Sequence, residues 1–337
     1  MKELNDYSLP ERYAIEEVIE ALLDEQTTLD PKYLYTLSDL RPKELRALRK
    51  VWEEISLERR RALLEDLEAL TEADTLLSYE AVFRLAIEDP DSQVRFFAVR
   101  AIEVFDTDDL VSVFLELLLE DESEDVRAVS ASVLGKYVYR GELDKIEDEK
   151  QRRIVDQLLD VLRGGASRRV RRRALEAVSY SPRPEVHREI EEAYQRPEPE
   201  WIASALFAMG RSYDMRYQKV VVERLRDASP IVRMEAARAC GELQVEDVHY
   251  ELLDLLDDVP EVRRAAIWAL SQIGGEEVQI TLNRLLEEEY LPAEEEKLIQ
   301  QALDNLAFTE GAINYSMFDM PYAEDEGGEL PDQDWLD

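Results

Sequence analysis

The chain is poor in cysteine, histidine and glycine, and each shortage removes a class of protein. A single cysteine, Cys240, cannot build an intrachain disulfide framework and suits a reducing compartment, so a cytoplasmic protein is expected. The only histidines, His187 and His249, fall short of the three or four converging ligands that a metal centre needs. The 11 glycines form no G-x-x-x-x-G-K-[ST] loop, no G-x-G-x-x-G after a strand and no G-x-S-x-G elbow, so neither a phosphate cradle nor a hydrolase nucleophile is expected. No apolar run approaches the roughly eighteen residues of a membrane span, and the opening MKELNDYSLPER lacks the apolar core of a signal peptide. Basic residues are also in deficit, 41 against 77 acidic, for a formal charge of -36. Such a field repels phosphate backbones and anionic lipid. Nucleic acid and membrane surfaces are therefore disfavoured, and a protein partner of basic character is favoured.

What the chain does contain is a period. In SQVRFFAVRAI, Val94, Ala98, Ala101 and Ile102 stand at offsets 0, 4, 7 and 8, one face of a helix. The same template returns at Val126 (VRAVSASVLG), Val170 (VRRRALEAVS), Trp201 (WIASALFAMG), Val232 (VRMEAARACG) and Val262 (VRRAAIWALS). The copies are spaced 32, 44, 31, 31 and 30 residues apart, room for two helices of about 12 residues and their turns. Apolar segments such as LVSVFLELLLED from Leu110 and YELLDLLDD from Tyr250 supply the first helix of each pair. A degenerate seventh copy carries Leu298, Ala302 and Leu306. Small residues at offsets 4 and 7 let helix backbones approach closely. Pro199, Pro230 and Pro260 fall where an opening turn tolerates a missing N–H. The fold expected is all-α, a right-handed α-solenoid of antiparallel helix hairpins.

Over roughly Ser78 to Phe308 these copies resemble the HEAT-like repeat family, in the short form also found in phycobilisome-lyase-type repeat proteins. In that family the arginine after the first hydrophobe stacks between repeats. The resemblance gives that structural role to Arg95, Arg127, Arg171, Arg233 and Arg263, and Ile202 interrupts the series. The family also includes deoxyhypusine hydroxylase, which holds iron through His-Glu dyads, but here His187 precedes Arg188 and His249 precedes Tyr250. No metal and no cofactor are expected.

The flanks depart from the template. Residues 1–76 read as an atypical helical cap covering the apolar edge of the array in 77–310. The long interval between the second and third copies places an insertion in KYVYRGELDKIEDEK from Lys136, projecting from one edge. Residues 311–337 carry eight acidic residues, no lysine or arginine, and Tyr315, Phe318, Tyr322 and Trp335, which reads as an acidic, aromatic-containing disordered tail. Such a tail has two uses: inert solvation, or docking, including docking back on this chain.

One helix stands against the acidic background. RGGASRRVRRRALEA turns Val170, Ala174 and Ala177 inward and leaves Arg168, Arg169, Arg172 and Arg173 on its flanks. They are either the partner-binding patch or ion-pair partners for neighbouring carboxylates. Cys240 occupies offset 8, the slot of Ile102 and Leu134, and reads as a core hydrophobe rather than a nucleophile. No catalytic residue is expected. The leading functional expectation is a scaffold or adaptor that holds a protein along its concave face. The alternative is an enzyme or enzyme accessory related to HEAT-like lyases.

Overall fold

The computed structural model describes residues 12–245, 247–287 and 291–318, and for residues 276 and 309–318 the backbone alone. Every regular element among the described residues is helical. The chain divides into two compact units, Met1–Tyr217 and Gln218–Asp337.

The first unit opens with α1 (Ile15–Leu23), α2 (Pro42–Val51) and α3 (Leu57–Ala73). Four hairpins follow: α4 (Glu80–Ala86) with α5 (Ser92–Ala101), α6 (Val111–Glu120) with α7 (Glu124–Glu142), α8 (Asp148–Arg163) with α9 (Arg168–Val178), and α10 (Pro184–Tyr194) with α11 (Pro199–Arg211). Second helices stack on one another in the order α3, α5, α7, α9, α11. The second unit repeats the plan with α12 (Gln218–Glu223) and α13 (Pro230–Glu242), α14 (His249–Asp254) and α15 (Pro260–Ile273), and α16 (Glu276–Leu286) and α17 (Ala293–Phe318), where α13 packs on α15 and α15 on α17.

Burial follows the template. Offset 0 is closed to solvent in the six clear copies, from Val94 at 0% exposed to Trp201 at 2%; in the degenerate seventh Leu298 is half-buried and Ile299 beside it is the buried residue. Ala98, Ala174, Ala205, Ala236 and Ala266 are buried at offset 4. Caps fix where second helices begin: the Asp91 carboxylate accepts from the amides of Gln93 and Val94, and Ser167 accepts from Val170 at 3.3 Å. Pro199, Pro230 and Pro260 are the first residues of α11, α13 and α15. Glycine permits two close crossings. A Cβ at Gly135 would lie 3.1 Å from the Cα of Ala177, and one at Gly241 would lie 2.9 Å from that of Ala269.

The region before the array contains more of the repeat than its sequence suggests. The pair α2 and α3 stacks on α4 and α5 as one hairpin stacks on the next. The inserted residues do not form a projecting loop. They lengthen α7 to 19 residues and α8 to 16, against 10 for α5 and α6. The added turns dock on the α5–α6 connection: Tyr137 is buried with its hydroxyl 2.8 Å from Thr107 Oγ1, and Lys136 Nζ donates to the carbonyls of Glu103 and Phe105. At the other end α17 continues through Gly311 to Phe318. The remaining residues of the acidic tail, 319–337, lie outside the described ones.

Candidate functional site

The arginine series has a definite chemistry. Arg95 donates through Nε and Nη2 to both carboxylate oxygens of Asp121, at 2.8 and 2.9 Å, and through Nη1 to the carbonyls of Asp89 and Pro90. Asp121 stands two residues before the cap of α7 and also accepts from the Ser123 amide at 2.8 Å. One carboxylate thus closes a turn and binds the guanidinium of the preceding hairpin. Arg233 repeats the arrangement with both oxygens of Asp258 at 2.6 Å, and Arg263 reaches Glu295 at 2.9 Å.

Two arginines of the series behave otherwise. Arg171 donates to the Leu162 carbonyl at 2.7 Å and lies 5.6 Å from the Trp201 ring, which Arg196 also covers at 4.1 Å. Arg127 has neither a hydrogen bond nor an ion pair among the described residues, and its Nε is buried without a partner. The cause lies in the next turn. The position two before the cap is Asp89, Asp121 and Asp227 in three connections, but Gly165 before α9 and Arg196 before α11.

Sequence reasoning missed a rung. Arg60 on α3 holds the same place after its cap and donates to Asp89 at 2.7 Å, with the Trp52 indole N–H on the same oxygen at 2.7 Å. The signal was available in Asp89, which stands two residues before the cap of α5 as Asp121 stands before that of α7, but Arg60 lies outside the template copies.

The basic helix is largely neutralised from within. Arg168 pairs with Glu198 at 3.6 Å, and Arg169 pairs with Asp125. Arg173 pairs with Glu176 at 2.5 Å, and Arg172 donates to Ser204 Oγ at 2.8 Å. Glu176 is buried and accepts from Ser204 at 2.6 Å, so α9 and α11 share one polar network. Burial pulls the Arg172 pKa below its ordinary value, offset in part by Glu176. Of the four, only Arg172 is deeply engaged; the heads of Arg168, Arg169 and Arg173 reach solvent at 63%, 51% and 46%.

An open groove of about 800 Å³ runs along α3 and α5. Four glutamates line it, Glu65, Glu68, Glu72 and Glu103, against two basic residues, Arg100 and Lys136. Arg100 is held by both oxygens of Glu68 at 2.6 and 2.5 Å and covers the Phe96 and Phe97 rings. Glu103 opens to solvent at the groove, yet the walls remove enough water to raise its pKa, while Lys136 and Arg211 pull it down. Val104 beside it is 61% exposed.

Groups with catalytic potential are engaged in packing. His187 Nδ1 lies 3.3 Å from the Tyr217 hydroxyl, and burial with Arg216 nearby lowers its pKa. His249 packs against the Tyr250 ring at 4.1 Å. Cys240 is fully buried and its thiol is pushed up to about 12. Among the described residues no group of three or more His, Cys, Asp or Glu side chains is placed to hold a metal ion, and no helix is long and apolar enough to cross a membrane.

No curated protein matches the chain. Among solved structures it is similar to YibA of Escherichia coli, at 18% identity over 84% of this chain and 98% of that one, TM-score 0.43. Importin beta is similar at 13% identity and TM-score 0.43 over 90% of this chain, which spans about half of importin beta, 48%. Human deoxyhypusine hydroxylase in complex with glycerol is similar at 14% identity and TM-score 0.36, over 87% of this chain and 96% of that one. The model that describes HEAT repeats matches residues 79–148 and 219–303, the stretches that hold α4 to α7 and most of the second unit's hairpins. With their stacked hairpins and their buried small-residue template, these two stretches are HEAT repeats.

Proposed function

We propose that the chain is a non-catalytic scaffold that binds a basic segment of a partner protein in the α3–α5 groove. The groove carries this reading: it joins an excess of glutamates to exposed apolar surface at Val104, a combination suited to lysine and arginine side chains with apolar neighbours. HEAT arrays present extended surfaces of this kind. The α9 arginines contribute less in this account, since each already has a partner within the fold.

Anisotropy of a fluorescent Lys-Leu-Lys-Lys-Leu peptide tests the reading on the full chain. Removing two groove charges with Glu65→Gln and Glu72→Gln is expected to weaken binding about tenfold, while Glu116→Gln with Glu120→Gln, the same charge loss on exposed positions of α6, leaves it within about twofold. Equal weakening by both pairs would reduce the interaction to bulk attraction and sink the site. Affinity should also climb as pH rises through the elevated Glu103 titration, because ionisation adds a negative charge to the groove. Glu103→Gln removes that slope.

A further inference from the structure

Arg127 is the one arginine of the series, among the described residues, with neither a carboxylate nor another polar partner. Arg60, Arg95 and Arg233 serve as internal templates for what this slot binds, and each has an aspartate from the following turn. At Arg127 that turn is Gly164–Gly165. A Cβ built on Gly165 meets nothing within 4 Å, so the aspartate side chain is missing and its space is open. A cavity of about 370 Å³ occupies the place, lined by Arg127, Gly164, Gly165, Leu118 and the exposed Leu119. Asp160 also borders it, exposed to solvent and forming no ion pair with Arg127.

We infer that Arg127 and the Gly164–Gly165 turn form a carboxylate-binding site, in which an acidic side chain or a free C-terminus of a bound polypeptide takes the place of the absent aspartate. The guanidinium fork is built for two carboxylate oxygens, and the buried Nε of this half-buried residue, without an acceptor, keeps a desolvation cost that such a ligand removes. The net charge of -36 opposes anions at long range, so the contact operates at short range once a partner is already engaged. The cavity shares no lining residue with the α3–α5 groove, and its fate is separable from that of the groove.

The test follows the Nε–Hε NMR cross-peak of Arg127, assigned by its loss in Arg127→Lys, on the full chain. N-acetylglycine presents a terminal carboxylate and N-acetylaspartate N-methylamide a side-chain one; N-acetylglycinamide presents none. A saturating shift of this cross-peak with either acid and not with the amide is expected, and the acid that saturates at lower concentration names the source. Gly165→Asp should place the cross-peak at its saturated position from the start and abolish the response. Gly165→Ala, which adds bulk into open space without charge, should preserve it. A response equal for acid and amide, a parallel unsaturated drift of all arginine cross-peaks, or an undiminished response in Gly165→Asp would each overturn the assignment.

Discussion

Replacing Asp121 with alanine removes a carboxylate that holds two hairpins at once. The side chains of Arg95 and Asp121 are only 11% and 3% exposed, so water cannot substitute for the lost partner. Removing one member of a buried pair costs about 3 to 5 kcal/mol. Arg95 keeps the carbonyls of Asp89 and Pro90 through Nη1, which points to the lower end, and the orphaned Ser123 amide adds about 1 kcal/mol. The expected loss is therefore about 3 to 4 kcal/mol, or two to three powers of ten in local opening. Asp121→Asn retains an acceptor for Ser123 and should cost roughly half as much. Native-state hydrogen exchange is the suitable assay, because a repeat array does not unfold as one cooperative block. Protection should fall in α5 and α7 and stay level in α13 and α15. A double-mutant cycle with Arg95→Ala isolates the pair. A loss under about 1 kcal/mol, the range of exposed ion pairs, would refute the claim that burial makes this rung strong.

Two further outcomes are expected. Gly241→Ala would drive a Cβ to 2.8 Å from the Trp268 ring and 2.9 Å from the Ala269 Cα. It should destabilise the second unit by about 1 to 3 kcal/mol in urea unfolding, and a neutral result would mean that α13 and α15 separate freely. Cys240 should stay inert to Ellman's reagent in the native chain and react fully in denaturant, since a fully buried thiol with a pKa of about 12 presents no thiolate. Rapid native modification would show that this core opens.

The array was legible because its determinants are local. Val94, Ala98, Ala101 and Ile102 lie within nine residues of one another, and helical periodicity alone turns them to one side. The insertion was located by its spacing and misjudged in form: a loop and a helix extension add the same count, and Tyr137 shows its role only against Thr107, thirty residues upstream. The arginine partners were hidden for a related reason. Asp121 is remote in sequence from Arg95 and belongs to a turn, where the template sets no pattern, so the substitution of Gly165 for an aspartate left no trace in the apolar period. The groove was less legible still, because Glu65 and Glu68 sit on α3, ahead of the recognised copies.

The docked insertion has a mechanical consequence. A repeat array deforms by small rotations at each joint between neighbours, and the compliance of a joint follows from how many tethers cross it. The joint between the first two hairpins carries the Arg95 pair and also the Tyr137, Lys136 and Arg140 contacts with the α5–α6 connection, while the next joint has lost its arginine pair at Gly165. The two joints are therefore held by different means: polar tethers cross the first, while the second relies on the close α7–α9 crossing at Gly135 and the Arg169–Asp125 pair, with the Arg127 slot left over.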